Sequence, residues 1–443
     1  MFELRRAVAG LTACALAAIF AASPAAATTD PTDGQWYVGP YQINEFHAQG
    51  IDGSGVTVAV VDAAINLDVP QLQGADIEVK EPSLCYGPGG VEQPSTSDDP
   101  AAASHGTNVT SFIVGNGTGY DGQPGITGIA PKARILFYSV LAQDGCESAS
   151  GETLPGEVWD EMVSTAIIDA TDSGADIISF SIHASTANIT DALAYAMRND
   201  VIVVASLTNR DSDDFFETLD GQPAQNNGVI GVGSFGPGGD VMLDFNGDPS
   251  SSPVVDVVAP GVQMLNQGTE ASWTDYVIGQ GNSFATPIVA GNLALAIQKY
   301  PNATHDQIIQ SLIHNTGTEA HELGWDNQYG YGAVDTISLL AADPTQYEDV
   351  NPLLNKKEDS ASLSGPSFDE VYGAAPTASA SPSASDDPAS PGPPGPGEDT
   401  DTGSPAWLLL ALVGGGLVLI LIVVAVIVVA VKSSSSKSTR STT

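Results

Sequence analysis

Three side chains in this sequence, Asp62, His105 and Ser283, are of the types that together turn a hydroxyl into a nucleophile against an amide. A free serine hydroxyl is weak at neutral pH and needs a base to take its proton. An imidazole serves as that base when a carboxylate behind it fixes its tautomer and stabilises its cation. Asp62 closes the apolar, β-branched run Val56–Val61, which places its carboxylate at the carboxyl edge of a buried strand. His105 opens His105-Gly106-Thr107, after which Val109, Phe112 and Ile113 recur on one helical face. Ser283 lies in Gly281-Asn282-Ser283-Phe284-Ala285-Thr286-Pro287; Pro287 suits the first turn of a helix, which Ile288, Val289 and Leu293 continue. A helix N-terminus beneath the serine adds N–H donors for a developing oxyanion. Taken singly, these residues have plain structural uses, such as a strand-end cap or an N-cap serine. Jointly they point to acyl transfer, a chemistry that requires no cofactor. His47, His305, His314 and His321 lack such surroundings and read as surface or packing residues.

The segments around them alternate between strand-like and helix-like patterns. Short apolar runs recur at Val56–Val61, Ile135–Val140, Ile177–Ser181, Val201–Ala205, Val229–Val232 and Val254–Val258. Helical patterns fall between them, as at Glu157–Ser173 and Thr190–Asn199. Such alternation predicts an α/β fold, a mostly parallel sheet with helices on both faces, whose ligands gather at the carboxyl ends of the strands.

The two ends of the chain suggest its compartment. Arg5 and Arg6 precede an apolar run from Ala7 to Ala22, and Ala25-Ala26-Ala27 offers small residues for cleavage, the layout of a signal peptide over residues 1–27. Residues 28–50 then form an N-terminal extension and 51–340 one globular domain, with a tether rich in Pro, Ser, Ala and Gly over 341–404. An uncharged apolar stretch, 405–431, is long enough for one tilted transmembrane helix, with Gly414-Gly415-Gly416 inside it. Lys432, Lys437 and Arg440 follow it and Glu398, Asp399 and Asp401 precede it, so residues 432–443 read as a short basic cytoplasmic tail and the domain as extracytoplasmic at the plasma membrane. With 13 basic residues against 53 acidic ones and a formal net charge of −40, nucleic acid is excluded as a partner. Cys14 leaves with the signal peptide; Cys85 and Cys146 remain, an even number in an oxidising compartment, which predicts one disulfide. Asp244, Asn246 and Asp248 alternate as calcium ligands would, and Asp211, Asp213 and Asp214 cluster after Asn209, though acidic loops are expected in so acidic a chain.

His105-Gly106-Thr107-Asn108-Val109 and the Gly281–Pro287 segment resemble the histidine and serine signatures of the subtilisin-like protease family, with Asp62 before both in the family's order. The segments Gly125–Ala133, Val257–Gly261 and Gly330–Asp335 are similar to further family patterns, so the resemblance spans nearly all of residues 51–340. It implies a subtilisin-like fold, protein or peptide substrates, an oxyanion-hole donor at Asn209, and a substrate cleft touching Ser181, His183, Ser206 and Thr208. The order of signal peptide, protease, proline-rich tether and C-terminal span also resembles the mycosins, membrane-anchored subtilases of type VII secretion systems, and so implies a membrane secretion complex as partner. The stretch between Thr28 and the domain is short for an independently folded inhibitory propeptide.

The chain departs from the family's pattern at four places. Asp62-Ala63-Ala64 lacks the usual hydroxyl residue and glycine, Asn282 replaces a threonine, Leu207-Thr208 replaces a small residue and glycine, and His183 replaces a cleft glycine. These changes keep alive an alternative in which the fold is retained as a catalytically impaired structural or docking part of a secretion complex. A surface adhesin would account for the tether and span but not for the motifs.

Overall fold

The computed structural model describes residues 33–141, 146–151, 155–182, 188–210, 221, 223–269, 271–319, 321–355 and 365–373. Its strands are β1 (Thr57–Asp62), β2 (Asp76–Val79), β3 (Asn116–Thr118), β4 (Pro124–Thr127), β5 (Arg134–Ser139), β6 (Ile177–Phe180), β7 (Ile202–Ser206), β8 (Ile230–Phe235), β9 (Val257–Pro260), β10 (Val262–Thr269) and β11 (Ser272–Gln280). Its helices are α1 (Ile43–Ala48), α2 (Pro100–Val114), α3 (Pro155–Asp172), α4 (Thr190–Arg198), α5 (Asn282–Lys299), α6 (His305–His314), α7 (Thr336–Ala341) and α8 (Phe368–Tyr372). Seven strands form one sheet in the order β2-β5-β1-β6-β7-β8-β9, with every pairing parallel. From β1 the chain reaches the edge strand β2, returns to β5 between them, and then crosses to the other side of β1 at β6. That reversal opens a crevice at the carboxyl ends of the central strands.

The two-residue period of a strand divides the core. Val58, Val60, Ile135, Phe137, Ile177, Ile202 and Val204 face one side, in a cluster with residues of α2, α5 and α6. Ala59, Val61, Leu136, Tyr138, Ile178, Phe180 and Val203 face the other, with α3 and α4. Both faces are covered, which is why the strands read as continuous apolar runs. Buried aliphatic side chains such as Ile288, Val289 and Leu293 each contribute roughly 1.5–3 kcal/mol.

Three elements start where their sequence did not indicate. The helix carrying His105 begins at Pro100, capped by the Asp99 carboxylate accepting from the Ala101 N–H, so His105 sits in its second turn. The helix carrying Ser283 begins at Asn282, which puts Pro287 inside it rather than in its first position. A proline there deprives the Ser283 carbonyl of its helical partner, and the Ser181 hydroxyl donates to that carbonyl instead at 2.8 Å. Nor is this helix one-sided: Ala285 to Ala296 are buried all round, as for a helix inside a core. The last sheet strand starts at Val257 rather than Val254, because the Asp256 carboxylate takes the Gly231 N–H at 2.7 Å before regular pairing begins.

The segment ahead of the domain is part of the core. Trp36, Tyr37, Val38, Tyr41 and Ile43 are buried. Their polar tips reach distant backbone: Trp36 Nε1 donates to the Val262 carbonyl, Tyr37 to that of Thr127 and Tyr41 to that of Val334. Burial, aided by Asp33 and Asp335 respectively, pushes both phenols well up and keeps them neutral donors. Cys85 and Cys146 form a disulfide. Among the described residues no helix is long and apolar enough to cross a membrane; the signal-peptide region, residues 356–364 and everything from 374 onward, including 405–431, lie outside them.

Candidate active site

The carboxyl ends of β1, β6 and β7 bring together most of the residues singled out above. Asp62 is the last residue of β1 and fully buried. The Nδ1–H of His105 donates to Asp62 Oδ1 at 2.7 Å, and the Ala63 N–H donates to the same oxygen at 2.8 Å. A carboxylate can only accept, so the neutral imidazole carries its proton on Nδ1 and presents a lone pair on Nε2. Gly106 makes this approach feasible: a Cβ there would come within 2.5 Å of the Ala64 carbonyl oxygen and 3.2 Å of Asp62 Oδ1. Asp62 Oδ2 is buried and has no hydrogen-bond partner among the described residues, and Ala63, lacking a hydroxyl, can offer it none.

The His105 side chain is 39 % exposed. Burial disfavours its cation, but the charge of Asp62 and the hydrogen bond to it prevail, and the pKa is raised above the ordinary 6.5. This pair therefore contributes its full stability below the unfolded-state value and loses that contribution as pH rises through the higher folded-state value.

Ser283 is the second residue of α5 and 8 % exposed. It shares a cavity of about 350 Å³ with Ala63, His105, Leu141, Ser181, Ile182, Ser206, Leu207 and Asn209. No hydrogen bond joins His105 to Ser283 in this arrangement, a looseness common where substrate is needed to tighten the contact. Asn209 follows the end of β7, and its Oδ1 accepts from the Asn282 N–H at 2.8 Å. Because that oxygen faces a donor, Nδ2 is left to turn the other way. Ser283 Oγ and Asn209 Nδ2 flank the bare Gly281, lying 3.1 Å and 3.5 Å from where its Cβ would sit. Gly281 has an extended backbone, φ 167°, that any residue adopts. Gly281→Ala should therefore leave the melting temperature nearly unchanged yet slow acylation by a fluorophosphonate about 10²-fold, by intruding beside the reacting oxygen. An unaltered labelling rate would show that this space is not used.

Of the sequence-predicted cleft residues, Ser181 and Ser206 line the cavity. Thr208 is buried and lines not this cavity but a smaller hollow, together with Leu207, Asn282 and Ser234. His183 lies outside the described residues, as do Asp211, Asp213 and Asp214. Asp244 spends Oδ1 on the N–H groups of Asn246 and Asp248, closing a turn. Among the described residues no three acidic, His or Cys side chains are grouped as a metal site. Sequence reasoning missed Leu141 and Ile182 as cavity walls, for they stand in loops without a motif. It noted Leu207 only as a departure.

The sequence profile of the subtilase family matches residues 53–332. Fervidolysin of Fervidobacterium pennivorans is 32 % identical over 314 residues, covering 66 % of this chain and 42 % of that protein. Subtilisin BL of Lederbergia lenta is 29 % identical over 306 residues, covering 68 % of this chain and 96 % of that protein. The chain thus spans well under half of fervidolysin and nearly all of subtilisin BL. Among solved structures, the serine protease MycP1, described as an essential component of the type VII (ESX-1) secretion system, is similar with a TM-score of 0.52 and 25 % identity. That match covers 70 % of this chain and 89 % of MycP1. Crystalline fervidolysin gives a TM-score of 0.51 at 26 % identity, covering 70 % of this chain and 46 % of that one.

Proposed function

This chain belongs to the subtilase family of serine endopeptidases, and from that premise we propose that it is a membrane-anchored, extracytoplasmic endopeptidase working through Asp62, His105 and Ser283. The observation that carries the reading is the Asp62–His105 hydrogen bond at the mouth of the cavity that holds Ser283 and Asn209. Ser283 Oγ attacks the scissile carbonyl while His105 Nε2 takes its proton, and Asp62 holds the imidazolium that results. The oxyanion of the tetrahedral intermediate lies between Asn209 Nδ2 and the Ser283 N–H. His105 then returns the proton to the leaving amine, an acyl-enzyme remains on Ser283, and water deprotonated by His105 releases it. These steps draw on the chain's own side chains and water.

The anchor and topology rest on the sequence: the signal-peptide pattern of residues 1–27, the apolar stretch 405–431 and the basic tail after it. A link to type VII secretion is supported by that layout and by the likeness to MycP1. The apolar walls Leu141, Ile182 and Leu207 suit an uncharged side chain next to the scissile bond.

The test uses the purified full chain and a peptide mixture made from digested whole-cell protein, with new amino termini read by mass spectrometry. New termini that disappear after fluorophosphonate treatment are expected. Their complete absence with a folded chain would favour the second reading, a catalytically impaired docking component. That reading draws its support from Asp62 Oδ2, which has no hydrogen-bond partner among the described residues. It also expects Ser283→Ala to leave secretion intact in cells where loss of the whole domain abolishes it.

A further inference from the structure

We propose that Asn282 is a positioning residue for the oxyanion hole, clamping the backbone that presents Asn209 and turning the Asn209 amide toward Ser283. The inference rests on the reading of Asn209 as an oxyanion donor.

Asn282 is only 3 % exposed, and its carboxamide is engaged at both ends. Nδ2 donates to the carbonyls of Leu207 at 3.2 Å and Thr208 at 3.0 Å, and Oδ1 accepts from the Ser234 hydroxyl at 2.6 Å. Leu207 and Thr208 are the two residues leading from β7 to Asn209, Ser234 lies on the neighbouring β8, and Asn282 itself starts α5 directly before Ser283. One side chain thus ties the strand exit bearing Asn209 to the helix start bearing the nucleophile. The backbone of the same residue completes the arrangement, since its N–H fixes Asn209 Oδ1 at 2.8 Å.

A hydroxyl side chain in this place carries a single donor and cannot serve both carbonyls while also accepting from Ser234. The two carbonyls would then share one donor fewer, and the backbone at Leu207 and Thr208 would be held less tightly. Rotation at Thr208 moves the Asn209 Cα and hence its Nδ2. A shift of a fraction of an ångström there weakens a donor whose worth depends on being aimed at the oxyanion before it forms. The clamp therefore acts on the transition state and not on how tightly substrate is held.

The experiment is a double-mutant cycle on the full chain with p-nitrophenyl acetate, an activated ester whose acylation passes through the same oxyanion. Asn209→Ala should lower kcat by about 10² or more, a size known for such a donor in a subtilisin. Asn282→Ala should lower kcat about tenfold or more with KM within about threefold, and the double variant should match Asn209→Ala alone within about twofold. Asn282→Asp, which keeps the shape but loses both donors, should behave as Asn282→Ala does. Should either fail to fold, Ser234→Ala removes one anchor of the clamp, and its loss in kcat should vanish in the Asn209→Ala background. Losses that multiply, or an Asn282 variant that only lowers the melting temperature while kcat stays unchanged, would overturn the proposal. A silent Asn209→Ala would overturn it together with the reading of the oxyanion hole.

Discussion

Replacing Ser283 with alanine is expected to lower peptide-bond hydrolysis by about 10⁶-fold in kcat, a loss known for the same replacement in a subtilisin. The change removes one oxygen from a residue that is 8 % exposed and leaves its backbone N–H, Asn209 and the cavity in place. Fold and substrate binding should survive, so KM and melting temperature should change little while turnover collapses to what oriented water can achieve. His105→Ala should cost about as much, and the double variant scarcely more, because nucleophile and base act as a unit. If Ser283→Ala kept more than about a hundredth of wild-type turnover, far above the residue expected of a triad knockout, hydrolysis would have to come from another group.

Asp62→Asn is the second large effect, about 10⁴-fold. The amide has nearly the carboxylate's shape, so the change is electrostatic. The introduced carboxamide can donate to Nδ1 of His105, which favours the tautomer with its proton on Nε2 and leaves no lone pair for the Ser283 hydroxyl. The pH profile carries a second signature. Activity needs neutral His105, so the acid limb should fall with decreasing pH through a value above the ordinary 6.5, held there by Asp62 against the effect of burial. In the Asp62→Asn variant that limb should move to lower pH, because the stabilising charge has gone. A limb that stays in place would mean that Asp62 does not set the protonation of His105.

The parallel sheet could be read in the sequence because strands covered on both faces leave continuous β-branched runs, and Val56–Val61 or Val201–Ala205 could hardly be anything else. The pairing of Cys85 with Cys146 followed from their number and the compartment that the sequence suggests, and a disulfide joins them. Helix starts were less legible, since they depend on partners far away. Pro287 reads as a first-turn residue until Ser181, distant in sequence, is seen to satisfy the carbonyl that proline strands. The apolar run at Val254 suggests a strand, yet Asp256 bonds β8 with its side chain and delays the ladder. Leu141 and Ile182 carry no motif, and only the meeting of β5 and β6 with α5 makes them cavity walls. Asn282 appeared in the sequence as a departure from a pattern; its three side-chain partners lie at the exit of β7 and on β8, a contact set that spacing does not encode.

The measurement that bears most directly on the central claim is covalent labelling of the purified full chain with a fluorophosphonate, with the adduct located by peptide mass spectrometry. It requires no knowledge of the natural substrate, because the probe reports only whether a serine is activated. One adduct is expected, on Ser283, absent from both Ser283→Ala and His105→Ala and slowed as pH falls through the raised His105 value. A folded chain that takes up no label, or takes it up elsewhere with Ser283 untouched, would contradict it.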